Sequence, residues 1–557
     1  MKSDELLQSA LQLHRAGKTA QAEAICRDIL KFHPDTIHAL HLLGVLRYQA
    51  RDYASAAAFL EKALRLAPAS AIILNNLGNV YLESGRADDA IACYRKALRL
   101  DPGHAEAHNN LGSALEESGH VEEALACYRE ALRLNPALAE AHNNLGNALK
   151  ESGHVEEALA CYREARRLNP ALAEAPYNTA NILLDRGQTR EAIDLYRAAL
   201  GLDPSYVDAL TNLGAALKSA GEIEEAIACY RKALGLQPGL ADAHWNLAAA
   251  LLLRGDFING WKEYEWRWET KDFHRRHFPQ PLWDGHNCEG ETILLYAEQG
   301  FGDTIQFIRY VPLLARRGVR VLVECPGELK TFVECVEGVH RVITPGDPLP
   351  DFTAHCPLLS LPLVLGTTLE TVPAEIPYCS APRSSVERWS TKLGQRADNN
   401  IRVGLAWAGK PSHKKDKYRS LSLETLRPLW EIAGITFFSL QKGESALKAG
   451  GHPDGMELAD YTDELKDFAD TAALLENLDL VISVDTAVAH AAGALGRDVW
   501  TLVPCDADWR WILERTDSPW YPSMRLFRQD APDGWDTVVS RIAEALADFV
   551  LRKRDKA

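Results

Sequence analysis

The first half of the chain has the spacing of apolar residues that is typical of amphipathic helices, and this spacing recurs every 34 residues. Proline marks the period at positions 34, 68, 102, 136, 170, 204 and 238. Most units share an alanine and a tyrosine at fixed offsets, and several also carry a Leu-Gly pair, as at Leu77, Gly78, Ala90 and Tyr94. Small residues let two helices approach closely, and one unit cannot bury its apolar face alone. The pattern therefore predicts helix pairs that stack in series.

These marks resemble the tetratricopeptide repeat, which implies an all-α superhelix over residues 1–270 with a groove for a protein partner. An asparagine precedes the Leu-Gly position of successive units, and we expect it to face the groove. The column comprises Asn76, Asn110, Asn144, Asn178, Asn212 and Asn246. An amide that both donates and accepts suits an extended peptide backbone, and the column resembles the asparagine ladder of O-GlcNAc transferases. The alternative role is to cap or bridge neighbouring repeats, and the two roles are compatible.

After an aromatic segment at 271–290, which we interpret as a packed junction, short apolar runs alternate with helical ones. Runs such as TILLYAE, VRVLVEC, IRVGLAWAG and LDLVISV predict parallel sheets with helical crossovers. We expect two Rossmann-like α/β halves at 291–382 and 401–557, an inter-domain linker at 383–400 and a closing helix at the end. Ligands bind at the carboxyl ends of such strands, so the loops there should face one cleft.

Composition and charge narrow the function classes. The formal charge of -16 argues against a general nucleic-acid binder, which would normally show a basic stripe. Four of the eleven cysteines recur at one repeat position, which favours small buried side chains over disulfides. The sequence shows neither a secretory leader nor a long apolar run, so we expect a cytoplasmic protein without a membrane span.

The first candidate site lies in LLYAEQGFGDTIQFIRY, where a turn at Gly300 and Gly302 follows a predicted strand. Ile305 stands where a dinucleotide fingerprint needs its third glycine, and no P-loop lysine follows. The glycines suit close approach of a ligand to the backbone. Asp303 is interpreted either as a helix cap or as a general base directed into the cleft.

The second candidate site lies in VISVDTAVAHAAGALG. It places Asp485 at a strand end, Thr486 in the first helical turn and His490 four residues later on the same face. Free N–H groups and the Thr486 hydroxyl suit a nucleotide diphosphate, and His490 could add charge or a hydrogen bond to the leaving group. The alternative is a capped helix with a buried, hydrogen-bonded histidine.

Two further loops follow strands. GKPSHKKDKYRS offers His413 and Arg419 as phosphate or sugar contacts, and FSLQKG offers Gln441 and Lys442. A solvated basic loop and a simple turn are the alternatives. Asp506 and Asp508 have the DxD spacing that some transferases use for a metal, but no further oxygen-ligand cluster accompanies them, so no metal site is predicted.

The two main motifs together resemble those of GT-B glycosyltransferases of family 9, the heptosyltransferase group, over about 270 residues. YAEQGFGDTIQFIRYVP is similar to that group's glycine-aspartate loop, and DLVISVDTAVAHAAGALGRDVWTL to its nucleotide-sugar motif. The resemblance implies that Asp303 is the catalytic base and that Asp485, Thr486 and His490 bind the donor. GKPSHKKDKYRS replaces the Lys-Arg-Trp segment of that group, which leaves the donor undefined.

A repeat arm fused to a GT-B unit resembles bacterial protein glycosyltransferases, including those that modify flagellin. The resemblance implies transfer of a sugar from a nucleotide-sugar co-substrate to a Ser or Thr hydroxyl of a protein held in the groove. We expect inversion and no metal or other cofactor. The alternatives are a scaffold or chaperone with an inactive transferase-like half, and a glycan or lipopolysaccharide transferase. The sequence specifies neither the sugar, the nucleotide, the acceptor nor the oligomeric state.

Overall fold

The computed structural model describes residues 2–286, 289–394, 400–412, 416–443, 455–531 and 534–555. The chain divides into two compact units, Met1–Ala209 and Leu210–Ala557.

The first unit consists of helices that pack as consecutive pairs. They are α1 (Lys2–Arg15), α2 (Thr19–Phe32), α3 (Ile37–Gln49), α4 (Tyr53–Leu66), α5 (Ala71–Glu83), α6 (Ala87–Leu100), α7 (Ala105–Glu117), α8 (Val121–Leu134), α9 (Ala139–Glu151), α10 (Val155–Leu168), α11 (Glu174–Asp185) and α12 (Thr189–Leu202). The turn within most pairs uses a glycine with positive φ, such as Gly85 at 76°, because that conformation strains other residues. Arg51 takes the corresponding position in the second pair with a φ of 58°.

A glycine of one helix and a tyrosine of the next join each pair in the middle of the array. A Cβ at Gly78, Gly112 or Gly146 would lie 2.5 to 2.6 Å from the ring of Tyr94, Tyr128 or Tyr162. Those rings are at most 1% exposed, so only glycine leaves room for them. In the second pair Leu60 fills the space beside Gly44.

The second unit begins with four helices that continue the pattern: α13 (Val207–Ser219), α14 (Ile223–Leu236), α15 (Ala241–Arg254) and α16 (Phe257–Tyr264). The junction then packs against the first sheet. Phe278 contacts Tyr296, Phe352 and His355, with ring centroids 5.7, 5.6 and 4.6 Å away. Trp283 is 2% exposed and its N–H donates to the His355 carbonyl, so this segment is packed rather than a free linker.

The first sheet has four parallel strands in the order β3-β2-β1-β4. The strands are β1 (Thr292–Tyr296), β2 (Arg320–Glu324), β3 (Val339–Ile343) and β4 (Ala354–Pro357). The helices between and after them are α17 (Phe301–Phe307), α18 (Val311–Arg316), α19 (Lys330–Glu334) and α20 (Leu361–Val364). β4 is fully buried beside β1 and was not predicted, because AHCP is short and lacks branched apolar residues.

The second sheet has five parallel strands in the order β6-β5-β7-β8-β9. The strands are β5 (Ile401–Ala406), β6 (Ile435–Ser439), β7 (Leu480–Val484), β8 (Val499–Val503) and β9 (Met524–Arg528). Its helices are α21 (Arg383–Gly394), α22 (Asp416–Arg419), α23 (Phe468–Leu475), α24 (Ala487–Ala494) and α25 (Trp535–Arg554). The segment predicted as a linker thus contains the ordered helix α21, whose Trp389 is 1% exposed. The predicted closing helix is α25.

Both sheets contain a point where the strand order reverses. The chain leaves β1 toward β2 on one side, while β4 lies on the other; likewise β5 lies between β6 and β7. Such switch points open a crevice at the carboxyl ends of the strands. The loops after β1, β5 and β7 carry most of the candidate residues, and all three lie at these positions.

Among the helices of the described residues, none combines the length and the apolar character needed to cross a bilayer.

Candidate functional site

The loops that follow β1 and β7 meet, because α17 packs against α24. A Cβ at Gly302 would lie 2.9 Å from Cδ2 of His490 and 3.7 Å from the Ala487 Cα. The absent side chain therefore makes room for His490 rather than leaving space for a ligand. Gly300 precedes α17 in an extended conformation and is the N-cap residue of that helix.

Asp303 lies in the first turn of α17 and uses both carboxylate oxygens. Oδ2 accepts a hydrogen bond of 2.8 Å from the Gly300 N–H, which is the helix-capping role considered from the sequence. Oδ1 pairs with the Arg510 guanidinium. The side chain is 18% exposed, so solvent still reaches part of the carboxylate. Its role as a base stays a prediction.

Arg510 joins the two halves and was not a candidate from the sequence. Its Nε donates to Gln306 Oε1 at 2.6 Å, and its Nη1 donates to Asp508 Oδ1 at 2.8 Å. The guanidinium carbon lies 4.3 Å from the centre of the Trp509 ring. Burial disfavours the charge, yet the Asp508 and Asp303 carboxylates raise the pKa of Arg510 above its usual value. A mostly buried, positively charged guanidinium therefore lies beside Asp303.

Asp485 and Thr486 lie at the junction of β7 and α24. Thr486 is the N-cap residue rather than part of the first helical turn, and its hydroxyl lies 3.1 Å from Ser483 Oγ. Burial, followed by the negative charge of Asp508, raises the pKa of the Asp485 carboxyl above its ordinary value. An N-terminal helix end with a neighbouring hydroxyl is suited to anion recognition, whereas the Asp485 carboxyl, whose side chain is 16% exposed, is suited to accept from a hydroxyl.

His490 is buried in the centre of this contact. Its Nδ1 lies 2.9 Å from the Tyr521 hydroxyl, its Nε2 lies 3.9 Å from Asp485 Oδ1, and its ring stacks near Trp511. Burial, reinforced by the charge of Arg510, lowers the pKa of His490 to about 3. The ring is therefore neutral at pH 7, which favours the hydrogen bond over the charge among the two roles considered from the sequence.

The loops after β5 and β6 also approach this point. Arg419 Nη1 donates to the Asp485 carbonyl at 2.9 Å, which places this predicted phosphate contact beside the helix end. Gln441 is 4% exposed and gives its amide to the backbone after β5, accepting from Trp407 and Ala408 and donating to Ala408. Its geometry supports a structural role. Lys442 donates to the Leu465 carbonyl. His413 lies outside the described residues.

The DxD acids serve as partners for basic side chains. Asp506 accepts from Lys218 at 3.0 Å and from Ser219 at 3.2 Å, which joins α13 to the loop after β8. Asp508 accepts from the Arg510 backbone and guanidinium. The described residues contain no group of three or more His, Cys, Asp or Glu side chains arranged to hold a metal ion.

Glu298, five residues before Asp303, is a second buried carboxylate that the sequence did not single out. Oε1 accepts from Arg267 Nη2 at 2.9 Å, while Oε2 is buried without a hydrogen-bond partner among the described residues. Burial outweighs the attraction of Arg267 and raises the pKa of Glu298 to about 7. Its position in AEQGFGD, at the end of β1, was the available signal.

Four members of the asparagine column contact the preceding repeat. Asn110, Asn144 and Asn178 donate from Nδ2 to Asn75, Asn109 and Asn143 of the preceding repeat at 3.1, 3.1 and 3.0 Å. Asn76 lies 2.7 Å from His41 Nε2. Asn212 and Asn246 are partly buried at the corresponding positions of the second unit. The bridging alternative thus describes the first unit, and peptide binding stays a prediction.

Comparison with known proteins separates the two parts of the chain. The family model for the tetratricopeptide repeat matches residues 7–71, 75–139, 110–173, 143–207, 177–241 and 211–257. The prediction of these repeats is therefore confirmed, and it indicates a protein-interaction scaffold.

One curated relative is Protein FlbA of Caulobacter vibrioides, which is 25% identical over 341 residues, 54% of this chain and 54% of the relative. The chain spans about half the length of that relative. A crystal structure of the APC/C hetero-tetramer Cut9-Hcn1 matches 48% of this chain and 53% of its own, with 18% identity and a TM-score of 0.42. A MamA crystal structure matches 29% of this chain and 95% of its own, with 26% identity and a TM-score of 0.26.

Proposed function

We propose that the protein is a glycosyltransferase that moves a sugar from a nucleotide-sugar donor to a Ser or Thr hydroxyl of a protein acceptor. The observation that carries the proposal is the convergence of three loops at the switch points. Asp303 follows β1, Arg419 follows β5, and Asp485 with Thr486 follows β7. Convergent polar groups at such a crevice are what a small anionic substrate requires.

The donor diphosphate would lie at the N-terminus of α24, where free backbone N–H groups and the Thr486 hydroxyl favour an anion. Arg419, which contacts the Asp485 carbonyl at 2.9 Å, supplies positive charge next to this position. His490 is neutral because its pKa is lowered to about 3, so it would serve by hydrogen bonding.

In the transfer step the acceptor oxygen would form a bond to the anomeric carbon of the sugar. The bond from that carbon to the phosphate oxygen breaks, and the nucleoside diphosphate leaves with the electron pair. The acceptor hydroxyl proton passes to the Asp303 carboxylate. A single displacement of this kind inverts the anomeric centre and requires one base.

The tetratricopeptide repeats would hold the acceptor protein, with flagellin as one candidate. Repeats of this kind present an extended surface, and the asparagine column recurs at one position of successive repeats. Because the N–H groups of three of these amides donate to the preceding repeat, the column would contribute mainly acceptor oxygens to a bound peptide.

A transfer assay tests the proposal. Candidate acceptors from cells that lack the gene are incubated with the purified protein and UDP-, GDP-, ADP- or CMP-sugars, and their intact masses are measured. We expect one donor to add the mass of its sugar, and Asp303→Ala to lower the rate at least about 100-fold through loss of the base. Full activity of Asp303→Ala would remove Asp303 from that role.

The second candidate function is a protein-interaction scaffold without chemistry. This function is favoured because both carboxylate oxygens of Asp303 already have partners. Oδ1 pairs with Arg510, and Oδ2 accepts from the Gly300 N–H. A scaffold would retain the repeat-bound partner but would produce no mass change with any donor. Transfer to lipid or glycan, with none to protein, would instead identify a glycan transferase.

A further inference from the structure

The ion pair between Asp303 and Arg510 poses a chemical problem for the proposed reaction. A hydroxyl that gives up a proton must approach a carboxylate oxygen, yet Oδ1 of Asp303 is paired with Arg510 and Oδ2 accepts from the Gly300 N–H at 2.8 Å. The acceptor hydroxyl therefore competes with Arg510 for access to Asp303 Oδ1.

Arg510 is placed to respond to a second anion. It lies in the turn Trp509–Trp511 after β8, and the Trp511 ring of that turn stacks on the His490 ring of α24 with centroids 5.5 Å apart. The guanidinium offers five N–H donors in a planar fork that matches phosphate as well as carboxylate. Asp508 and Gln306 also hold it, at 2.8 and 2.6 Å, so the side chain can leave Asp303 without losing all of its partners.

We propose that Arg510 binds the diphosphate of the nucleotide-sugar donor and thereby releases Asp303 to act as the base. This inference rests on the proposed glycosyltransferase function and assigns it a donor-sensing residue. Without a donor, Arg510 competes with the acceptor hydroxyl for Asp303 Oδ1. With a donor, Arg510 neutralises charge that builds up on the leaving phosphate, while Asp303 Oδ1 becomes free to accept the acceptor proton.

The decisive variant is Asp303→Asn, which keeps the shape of the side chain and removes the charge that competes for Arg510. Affinity for UDP, GDP, ADP and CDP, and for inorganic pyrophosphate, is measured by calorimetry on the full chain. We expect Asp303→Asn to bind the preferred nucleoside diphosphate about tenfold more tightly than the wild type, although it transfers no sugar. A merely structural role for the ion pair predicts no gain in affinity.

Arg510→Lys complements this test because lysine keeps the charge and loses the planar fork. We expect about tenfold weaker binding of the same nucleoside diphosphate and a larger loss in kcat than in KM. Asp303→Asn/Arg510→Lys should lose the gain shown by Asp303→Asn alone. Arg497→Lys is the matched control, since Arg497 donates to the Leu478 carbonyl and should leave affinity and transfer unchanged.

The outcomes separate the inference from the function on which it rests. Unchanged affinity in Asp303→Asn and Arg510→Lys, with transfer by the wild type, overturns the donor-sensing role and leaves the glycosyltransferase proposal standing. If the wild type binds none of the nucleotides and transfers no sugar, both proposals fail.

Discussion

In the repeats, the same buried contacts recur from one helix pair to the next, whereas in the α/β region each buried polar contact occurs once. The contact between Gly78 and Tyr94 recurs between Gly112 and Tyr128. The asparagine column likewise forms the same hydrogen bond in successive repeats. By contrast, Arg309 and Arg510 each donate to several different groups, and neither set of hydrogen bonds recurs among the described residues. In the repeats, many equivalent contacts each contribute a small part of the stability. In the α/β region, a few buried arginines with their hydrogen-bond partners contribute to both stability and chemistry.

Arg309→Met should give the largest effect. Arg309 is 2% exposed and donates to the carbonyls of Gln306, Pro373 and Trp520, and these acceptors would lose their donor. We expect a loss of about 3–5 kcal/mol in the free energy of unfolding of the second unit. All 13 tryptophans lie at residue 245 or later, so denaturant unfolding followed by tryptophan fluorescence reports on this unit. A loss below about 1 kcal/mol would contradict the claim that Arg309 makes a large contribution to the free energy of unfolding.

Glu298 should make the stability of the second unit depend on pH. Folding raises its pKa from 4.5 to about 7, so the folded state binds the proton more tightly. Stability from this group is present at low pH and is lost as the pH rises from about 4.5 to about 7, by about 3 kcal/mol in total. Glu298→Gln should remove this decline relative to the wild type, whereas the exposed Glu375→Gln should not. Parallel pH curves for wild type and Glu298→Gln would refute the prediction.

Gly112→Ala tests the repeated packing of the helix pairs. The new Cβ would lie 2.6 Å from the Tyr128 ring, which is fully buried, so the ring or helix must shift. We expect a loss of about 1–3 kcal/mol, measured by far-ultraviolet circular dichroism during unfolding. Gly201→Ala is the matched control, because nothing lies within 4 Å of that Cβ, and it should gain about 0.4–1 kcal/mol. Equal effects at both sites would show that the tyrosine contact is not responsible.

Asn144→Ala should give the smallest effect. It removes one of several equivalent donors, the hydrogen bond of 3.1 Å to Asn109 Oδ1, and should cost about 1 kcal/mol. The exposed Glu140→Ala on the same helix serves as the control. If the variant kept its stability but bound the acceptor protein more weakly, the asparagine column would serve acceptor binding and would not stabilise the repeats.

The sequence predicted those elements whose formation depends on a local pattern of apolar residues. The 34-residue period identified the repeats, and runs of branched apolar residues identified β1, β5 and β7. The short strand β4 and the arginine-flanked β9 lacked that pattern, since pairing with β1 and β8 decides them.

Contacts between residues far apart in the chain could not be predicted from the sequence. Gly302 was interpreted as a ligand-facing glycine, yet it makes room for His490 on a helix 188 residues later. Arg510 stands between two tryptophans without any motif spacing, and only the packing of α17 against α24 places it beside Asp303. Burial also determined that His490 is neutral, which its identity alone does not predict.

The most direct measurement is thermal unfolding of the second unit, followed by tryptophan fluorescence, with UDP-, GDP-, ADP- and CMP-sugars. The account predicts that one donor, at about 100 times its Kd, stabilises this unit by about 2.7 kcal/mol and raises its Tm by a few degrees. Failure of every donor to shift that transition, with the protein folded, would contradict the claim that the crevice binds a nucleotide-sugar.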